Sequence, residues 1–438
     1  HVVPVYLLDT DVEGNSDYDR SLTDRLYGGD TYYRLCQEVI LGIGGIRILR
    51  ALGHTETRRY HMNEGHSSLL VLELLSELSR QQAIPRICEK EIEQIRRQCV
   101  FTTHTPVASG HDRFPITLAA RVLKQCAVFD ECAEHFCSDD ELNLTFLALF
   151  ASHYINGVAK RHRVTSMRLF EGYQIDSITN GIHAHTWSSD AMCALFDSHI
   201  PDWRADNMSL RYAITIEREH IWQAHQQGKR QLLEYVNKVC NLGMDLNVMT
   251  LGFARRATRY KRTTLIFSDI ERLRSICGHY GPLQIIFAGK AHPQDEPGKA
   301  LIRETFRIMQ LLRDEIRIAY LPDYDMDIGR LMTAGADLWL NTPQPPLEAS
   351  GTSGMKAAVN GVPSPSVLDG WWIEGCIEGV TGWAISNSTP RTETAPIATD
   401  DEEAEILYAK LENTILPLYY HQRDAYIDVM RHAIAING

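Results

Sequence analysis

The second half of the sequence alternates short apolar runs with segments of helical length, and this alternation constrains the fold more than any other feature. Runs compatible with buried strands occur at 248–253, 283–288, 316–321, 336–340 and 364–368. A strand, a helical connection and a further strand usually produce a parallel sheet with helices on both faces. We therefore predict an α/β fold for this part of the chain.

The first half of the sequence has mainly helical periodicity. Apolar residues recur at helical intervals in segments 33–52, 67–79, 89–97, 116–128, 141–161 and 216–239, and β-type runs occur at 99–103 and 175–179. A chain of 438 residues has room for two or three domains. Near residue 243 the pattern changes from mainly helical segments to alternating strands and helices. We therefore predict one domain at 1–243 and another at 244–438.

The composition argues against several classes of partner. Lys and Arg number 44, and Asp and Glu number 56, which gives a net charge of −12. Without a basic face a protein gains little from counterion release, so we expect no nucleic-acid partner. No apolar run is long enough for a bilayer, and we expect no membrane contact. The 10 Cys residues show no paired spacing, so we expect reduced thiols, a cytoplasmic location and no metal site.

A basic segment follows the predicted strand at 248–253, the first strand in the second half of the sequence. Residues 254–262 contain the cations Arg255, Arg256, Arg259, Lys261 and Arg262. In open α/β sheets ligands bind beyond the carboxyl ends of the strands, so this position suits an anion pocket. Arg presents a planar fork to phosphate, and Lys presents a point charge. From the sequence alone, an exposed basic surface explains the segment equally well.

A second segment combines small residues with a lysine. Residues 346–356 read Pro-Leu-Glu-Ala-Ser-Gly-Thr-Ser-Gly-Met-Lys and follow the apolar run at 336–340. Such a turn into a helix exposes backbone N–H groups that can hold a phosphate or a sugar hydroxyl. Lys356 could neutralise a phosphate or form a Schiff base with an aldehyde cofactor. The alternative is an ordinary glycine-rich helix start with an exposed lysine.

Residues 348–356 resemble the lysine signature of the α-glucan phosphorylases, which act on glycogen, starch or maltodextrin, in the form of their short bacterial and archaeal branch. Segments 22–30, 61–66, 101–106, 179–183 and 287–293 resemble further motifs of this family in the same order. The resemblance implies two Rossmann-like domains facing a central cleft, the GT-B glycosyltransferase architecture. It also implies reversible phosphorolysis of terminal α-1,4-glucosidic bonds to α-D-glucose 1-phosphate, with retention of configuration.

The resemblance further implies a cofactor, pyridoxal 5′-phosphate, held covalently by Lys356. Arg255, Thr352 and Ser353 match positions that contact the cofactor phosphate, the latter two through backbone N–H groups. Trp187 matches a tryptophan beside the cofactor, although ordinary packing also accounts for it. The family uses the cofactor phosphate in proton transfer, so the task of the protein is positioning and electrostatics.

The substrate positions are carried over from the family in the same way. Arg256 and Lys261 match the cations that bind inorganic phosphate or glucose 1-phosphate, and with His104 they form the expected catalytic set. Side chains such as His and Asn can bond sugar hydroxyls. The matching glucosyl or active-site-loop positions are His104, Asn180, Glu348, Ser350, Gly351, Glu64 and His66. The expected partners are α-1,4-glucan and phosphate, and a homo-oligomer is compatible with the family.

Two departures from the family pattern leave alternatives open. The N-terminal glycine-rich loop of the family has no counterpart, and the sequence stops where the family continues into another helical segment. We therefore expect a chain truncated at both ends, with an incomplete N-terminal domain and C-terminal helix. One alternative is a catalytically inactive fragment that binds glucan or cofactor. Another is a nucleotide-sugar glucosyltransferase similar to glycogen synthase, which the lysine signature disfavours.

Overall fold

The protein forms two compact units in this computed structural model. The units are His1–Ile178 and Thr179–Gly438, and the described residues are 3–26, 28–84, 86–107, 110–124, 129, 131, 133–293, 295–386 and 398–438. Both units combine helices with parallel strands, so the α/β class is confirmed. No described helix is both long enough and apolar enough to cross a membrane.

The strands of the first unit form two sheets. In chain order the described strands are β1 Tyr60–Asn63, β2 Cys99–Thr102, β3 Arg113–Pro115, β4 Cys137–Ser138, β5 Glu141–Asn143, β6 Tyr154–Gly157 and β7 Asp176–Ser177. The main sheet is parallel with the order β1-β2-β6-β7, and β3, β5 and β4 form a small antiparallel sheet. Phe101 pairs with Met62 and Ile155, and all three side chains are buried.

Helices connect these strands. The described α-helices of the first unit are Asp17–Arg20, Thr31–Val39, Gly45–Ala51, Leu70–Gln82, Glu89–Arg96, Ile116–Leu123, Leu144–Phe150 and Lys160–Leu169. The predicted helix at 33–52 is confirmed, because Thr31–Val39 continues through a wider turn at Ile40–Gly44 into Gly45–Ala51. The end of the predicted helix at 116–128 lies partly outside the described residues.

The prediction of one helix at 141–161 is wrong. The stretch contains β5, the helix Leu144–Phe150 and β6. Asn143 starts this helix, because its Oδ1 accepts hydrogen bonds from the backbone N–H groups of Thr145 and Phe146 at 3.0 and 3.2 Å. Beyond the helix the chain pairs with β2, so long-range strand pairing overrides the local helical pattern.

The second unit contains a four-stranded parallel sheet and a parallel strand pair that bonds to the edge of this sheet. Its described strands are β8 Met249–Ala254, β9 Leu283–Ala288, β10 Ile318–Leu321, β11 Leu338–Trp339, β12 Ser364–Ser366 and β13 Gly382–Ala384. The sheet order is β10-β9-β8-β11, and β12 pairs in parallel with β13. The predicted strands are confirmed in place, although β10, β11 and β12 are shorter than predicted. Backbone hydrogen bonds join β12 to β11, since the N–H groups of Trp339 and Asn341 donate to the carbonyl oxygens of Pro363 and Pro365 at 3.0 and 3.1 Å.

The helices of the second unit range from one long helix to several of a single turn. The described α-helices are Ala184–Trp187, Asp190–His199, Arg218–Cys240, Ile270–His279, Glu296–Leu312, Met326–Gly335, Ser353–Ala358, Trp372–Gly375, Asp400–Lys410, Leu416–His421 and Arg423–Asn437. We call Arg218–Cys240 the long helix and Ser353–Ala358 the signature helix.

The compact units divide at residue 178, whereas the sequence predicted a domain boundary near 243. Residues 179–243 belong to the second unit because they share its hydrophobic core. Phe196 and Ile221 precede the predicted boundary, yet they are buried in one cluster with Leu251 and Ile285 of the sheet. Separating them from the sheet would expose each side chain to water, at a cost of about 1.5–3 kcal/mol.

A buried ion pair ties the long helix to the sheet. Lys229 and Asp337 are both fully buried, and Lys229 Nζ lies 2.6 Å from Asp337 Oδ2. The same carboxylate accepts a hydrogen bond from the backbone N–H of Thr250 at 2.7 Å and lies 2.8 Å from His225 Nε2. Lys229 also donates to the carbonyl oxygen of Val248 at 2.8 Å. Because these partners are supplied inside the protein, the charges are tolerated in the core.

Lys229→Met should destabilise the second unit by about 3–5 kcal/mol, because it leaves the Asp337 carboxylate buried without its cation. Urea unfolding followed by tryptophan fluorescence measures this free energy. Lys238→Met is the matched control, since Lys238 is exposed on the same helix, and we expect a change below about 0.5 kcal/mol. Equal losses in the two variants would contradict a special role for the buried pair.

Candidate active site

The basic segment after β8 is held against the end of β9. The backbone N–H of Arg255 donates to the carbonyl oxygen of Ala288 at 3.1 Å, and that of Ala257 donates to the carbonyl oxygen of Lys290 at 3.1 Å. Gly289 permits this approach, because its φ is 145° and a Cβ there would lie 1.9 Å from the carbonyl oxygen of Arg255. The backbone after β8 is therefore fixed at the carboxyl edge of the sheet.

Glu348 brings two cations of this segment together. Its Oε2 atom lies 2.6 Å from Arg255 Nη2 and 2.6 Å from Lys261 Nζ, and none of the three side chains is more than 10% exposed. Burial alone would raise the pKa of Glu348, but the charges of Arg255 and Lys261 outweigh it and lower that pKa. Burial lowers the pKa of Lys261 to about 8. The result is one ionised, buried carboxylate shared by two cations.

The other cations of the segment have different surroundings. Arg256 is exposed, and it takes part in no ion pair within the part of the chain that the structure describes. Arg262 is buried and donates to the carbonyl oxygen of Thr342 at 2.9 Å. The structure thus groups Arg255 with Lys261, and the placement of Arg256 beside a substrate phosphate stays a prediction.

The glycine-rich turn leads into the signature helix. Gly351 has a φ of 89°, which lets the chain reverse before Thr352 and begin the helix at Ser353. Ser353 Oγ accepts a hydrogen bond from Trp339 Nε1 at 3.2 Å, so the helix start is tied to β11. Ser350 Oγ is buried and has no hydrogen-bond partner among the described residues. An unsatisfied buried hydroxyl at this place suits a polar ligand.

Lys356 lies against an aromatic ring. Its Nζ atom is 3.7 Å from the centroid of the Trp187 ring. No carboxylate of the described ranges forms an ion pair with Lys356, and burial lowers the pKa of its amine. A lower pKa raises the fraction of neutral amine, which is the form that attacks a carbonyl carbon. Two residues that the sequence predicted for one cofactor site are therefore neighbours in space.

Asn180 lies in the loop that opens the second unit. The preceding Thr179 donates through Oγ1 to Glu374 Oε2 at 2.8 Å. Ile182, which follows Asn180, packs against a buried cluster that contains Met355 of the signature helix. The loop is thus anchored on both sides of Asn180, and the contact of Asn180 with a sugar stays a prediction.

In the first unit, Glu64 directly follows β1, and Thr103 and His104 directly follow β2. Because β1 and β2 are parallel, these residues lie at the same edge of the sheet. Glu64 is buried with a φ of 68°. Its Oε2 atom accepts hydrogen bonds from the backbone N–H of His104 at 2.7 Å and from Thr105 Oγ1 at 3.0 Å. Burial raises the pKa of Glu64 and lowers the pKa of His104. A direct hydrogen bond therefore joins the two predicted residues.

His66 belongs to a charged network that sequence reasoning missed. Its Nδ1 atom lies 3.0 Å from Asp112 Oδ2 and 3.7 Å from Glu38 Oε1. Arg34 Nη2 lies 2.9 Å from an oxygen of each carboxylate. The ligand atoms of Glu38, His66 and Asp112 lie within 4.8 Å of one another, but a His66 ring with a pKa raised to about 9 is protonated at neutral pH and has no lone pair for a metal. The network therefore suits the fixing of His66 better than metal binding. The sequence contained one indication of this network: Arg34 and Glu38 are four positions apart, a spacing at which two side chains can pair on one face of a helix.

His66→Gln should cost the first unit more stability at low pH than at high pH. Burial would lower the pKa of His66, but its bonds to Asp112 and Glu38 raise it from 6.5 to about 9. The protonated ring therefore stabilises the fold fully below about pH 6.5, and this contribution is lost as the pH rises through about 9. Urea midpoints at about pH 6 and about pH 9.5 measure the difference. An equal loss at both pH values would contradict a protonated His66.

Glu38→Gln provides a companion variant. Burial raises the pKa of Glu38 from 4.5 to about 8. The folded state therefore loses stability as the pH rises from about 4.5 to about 8, because the unfolded carboxyl ionises first. Gln mimics the neutral acid, so this variant should lack that part of the decline.

The sequence is similar to those of several known proteins. The sequence model of the carbohydrate phosphorylases matches residues 134–379, which is more than half of the chain. Maltodextrin phosphorylase of Thermococcus litoralis is 40% identical, and the alignment covers 99% of this chain and 55% of that protein. Glycogen phosphorylase of Aquifex aeolicus is 34% identical, with 98% of this chain and 67% of that protein covered.

A third relative shows the same extent of similarity. Glycogen phosphorylase of Mycobacterium tuberculosis is 34% identical, and the alignment covers 100% of this chain and 56% of that protein. The chain thus spans between about half and two thirds of the length of these relatives. The match over residues 134–379 and the identity along nearly the whole chain show that it belongs to the carbohydrate phosphorylase family.

Proposed function

We propose that the protein is an α-glucan phosphorylase. It catalyses reversible phosphorolysis of the terminal α-1,4-glucosidic bond of glycogen or maltodextrin and releases α-D-glucose 1-phosphate with retention. The relatives are named glycogen or maltodextrin phosphorylase, and they extend beyond the part that this chain spans. The observation that carries the proposal is the amine of Lys356, which lies 3.7 Å from the Trp187 ring without a counter-ion among the described residues.

The second unit fits pyridoxal 5′-phosphate. Besides the Lys356 amine, Arg255 Nη1 is buried and has no hydrogen-bond partner within the described ranges. A guanidinium donor without an internal acceptor suits an anionic group. We assign Lys356 to the covalent bond, Arg255 and the backbone N–H groups of Thr352 and Ser353 to the cofactor phosphate, and Trp187 to packing beside the ring. When bound, the cofactor supplies a phosphate group for proton transfer.

Phosphate is the second substrate of the proposed reaction. Arg256 and Lys261 bind it, and with a pKa of about 8 the Lys261 amine is mostly charged at neutral pH. The bond between C1 of the terminal glucosyl group and the glycosidic oxygen breaks, and that oxygen receives the phosphate proton. A phosphate oxygen forms the new bond to C1 on the same face of the sugar. The cations stabilise the charge that develops on phosphate.

The sugar is bound by groups that can accept or donate at its hydroxyls. The positions assigned to it are His104, Asn180, Glu348, Ser350 and Gly351. Glu64 positions His104 through the bond to its backbone N–H, and His66 lies on the same loop as Glu64. Glu348 is ionised and shared by two cations, so it acts as an acceptor and not as a general acid.

The architecture of the whole protein is GT-B, with two Rossmann-like domains. Cofactor binding is assigned to residues 244–438 together with Trp187. Residues 1–243 form part of a glucan-binding and catalytic domain, and Glu348, Ser350 and Gly351 contribute to the sugar site from residues 244–438. The protein is cytoplasmic and assembles as a homo-oligomer. Neither a metal nor a nucleic acid takes part.

Lys356→Ala should abolish retention of pyridoxal phosphate, because it removes the only side-chain amine of the signature segment 348–356. The measurement uses protein expressed from the complete reading frame and combines absorbance with borohydride reduction and peptide mass mapping. Lys238→Ala is the control, since Lys238 is exposed on the long helix. Normal retention by Lys356→Ala would contradict the cofactor assignment.

Lys261→Met should lower kcat/KM for phosphate roughly tenfold to a hundredfold, because a charge-assisted hydrogen bond contributes about 1.5–3 kcal/mol. The assay follows release of glucose 1-phosphate from maltodextrin as a function of phosphate concentration. Lys238→Met again serves as the control. Phosphate kinetics like those of the wild type would show that Lys261 does not bind the substrate anion.

The two alternative functions give different results in this assay. A binding fragment takes up the cofactor or glucan but releases no glucose 1-phosphate. A nucleotide-sugar glucosyltransferase transfers glucose from a nucleotide sugar and shows no dependence on inorganic phosphate. The fold alone does not separate these activities, since related architectures support several of them.

A further inference from the structure

Asn360 links the signature helix to the turn that carries Trp187. It is fully buried and follows Lys356 by four positions. Its Nδ2 atom donates to the carbonyl oxygen of Trp187 at 2.8 Å and to that of Lys356 at 2.9 Å. Its Oδ1 atom accepts from the backbone N–H of Ser189 at 2.8 Å. Both amide hydrogens and the amide oxygen are therefore used in bonds between these segments.

These bonds join segments that their own secondary structure does not hold in place. Trp187 ends a helix of four residues, and Lys356 lies in a helix of six residues. Isolated helices of this length are unstable in water. Asn360 and Trp187 are 173 positions apart in sequence. The distance between the Lys356 amine and the Trp187 ring therefore depends on contacts between the segments.

Apolar packing also restricts the position of the Trp187 ring. The side chain of Trp187 is partly buried and packs against the main hydrophobic cluster of the second unit, which contains Phe196 and Ile221. Such a contact restricts where the ring can move, but apolar contacts are not directional. The hydrogen bonds of Asn360 are directional, and they fix the backbone on both sides of Ser188.

We propose that Asn360 is a positioning residue that keeps the Trp187 ring over the Lys356 amine. The inference rests on the proposed function, because the task it assigns to Asn360 is the capture of pyridoxal phosphate by Lys356. A fixed ring limits the orientations of the amine and keeps water from one side of it. Without the link, ring and amine move independently, so capture slows although the amine itself is still present.

Asn360→Leu is the test variant, because Leu has a similar volume but makes none of the three hydrogen bonds. Asn237→Leu is the matched control. Asn237 of the long helix also bridges backbone groups, since its side chain bonds the N–H of Met244 at 2.7 Å and the carbonyl oxygen of Met244 at 3.0 Å. Both substitutions leave backbone groups without partners, so a general loss of stability affects both proteins.

Two readouts are taken on cofactor-free protein prepared from the complete reading frame. The first is the pseudo-first-order rate of pyridoxal phosphate uptake, followed by absorbance and mapped to Lys356 after borohydride reduction. The second is acrylamide quenching of Trp187 fluorescence, obtained by comparing each protein with its Trp187→Phe counterpart. This second readout needs no cofactor.

We expect Asn360→Leu to slow uptake roughly tenfold to a hundredfold and to increase quenching of Trp187, while Asn237→Leu changes neither. Asn360→Ser retains one hydroxyl and should show a smaller effect, and it replaces Asn360→Leu if that variant does not fold. Uptake and quenching like those of the wild type, or equal slowing in Asn237→Leu, would overturn the inference. Absence of uptake by the wild type would contradict the proposed function instead, and the quenching difference would still decide the role of Asn360.

Discussion

Parallel pairing of strands is the constraint on which the rest of the structure depends. In the main sheet of each unit, neighbouring strands run in the same direction, so their carboxyl ends lie at one edge. Glu64 and Thr103 follow adjacent strands in the first unit, and Arg255 and Gly289 follow adjacent strands in the second. Residues far apart in sequence thereby become neighbours, and a few residues after each strand determine the chemistry of the edge.

Each edge also has to balance the charges that it collects. The protein carries a net charge of −12, yet Glu348 is paired with two cations, Arg255 and Lys261. In the first unit, the Asp112 carboxylate pairs with Arg34 and His66, and burial raises the pKa of Glu38 to about 8, so that Glu38 is mostly neutral at pH 7. An unpaired buried charge costs several kcal/mol, so each buried carboxylate is either paired with cations or protonated. The cluster around Glu348 keeps one positive charge in excess, because two cations share one carboxylate. Glu348 already holds Arg255 and Lys261 in place. An anion that binds to these two cations would therefore share them with Glu348.

Sequence patterns predict the parts of the structure that local chemistry determines. The runs that form β8 and β9 were recognisable because each is mostly apolar and is followed by basic residues. The strand β6 was not, because its pairing with β2 outweighs a local helical pattern. The network around His66 was missed for a similar reason. Helical spacing relates Arg34 to Glu38, but nothing local indicates that Asp112, which lies 78 positions from Arg34, completes the network.

The position of Lys356 depends on the core of the second unit more than on its own helix. Asp337, whose carboxylate lies 2.6 Å from Lys229 Nζ, directly precedes β11. Trp339 of β11 then donates to Ser353 Oγ at 3.2 Å. Bonds therefore connect the buried ion pair, through one short strand, to the first residue of the signature helix. Because that helix has only six residues and is not stable alone, the packing of the sheet determines where the Lys356 amine lies.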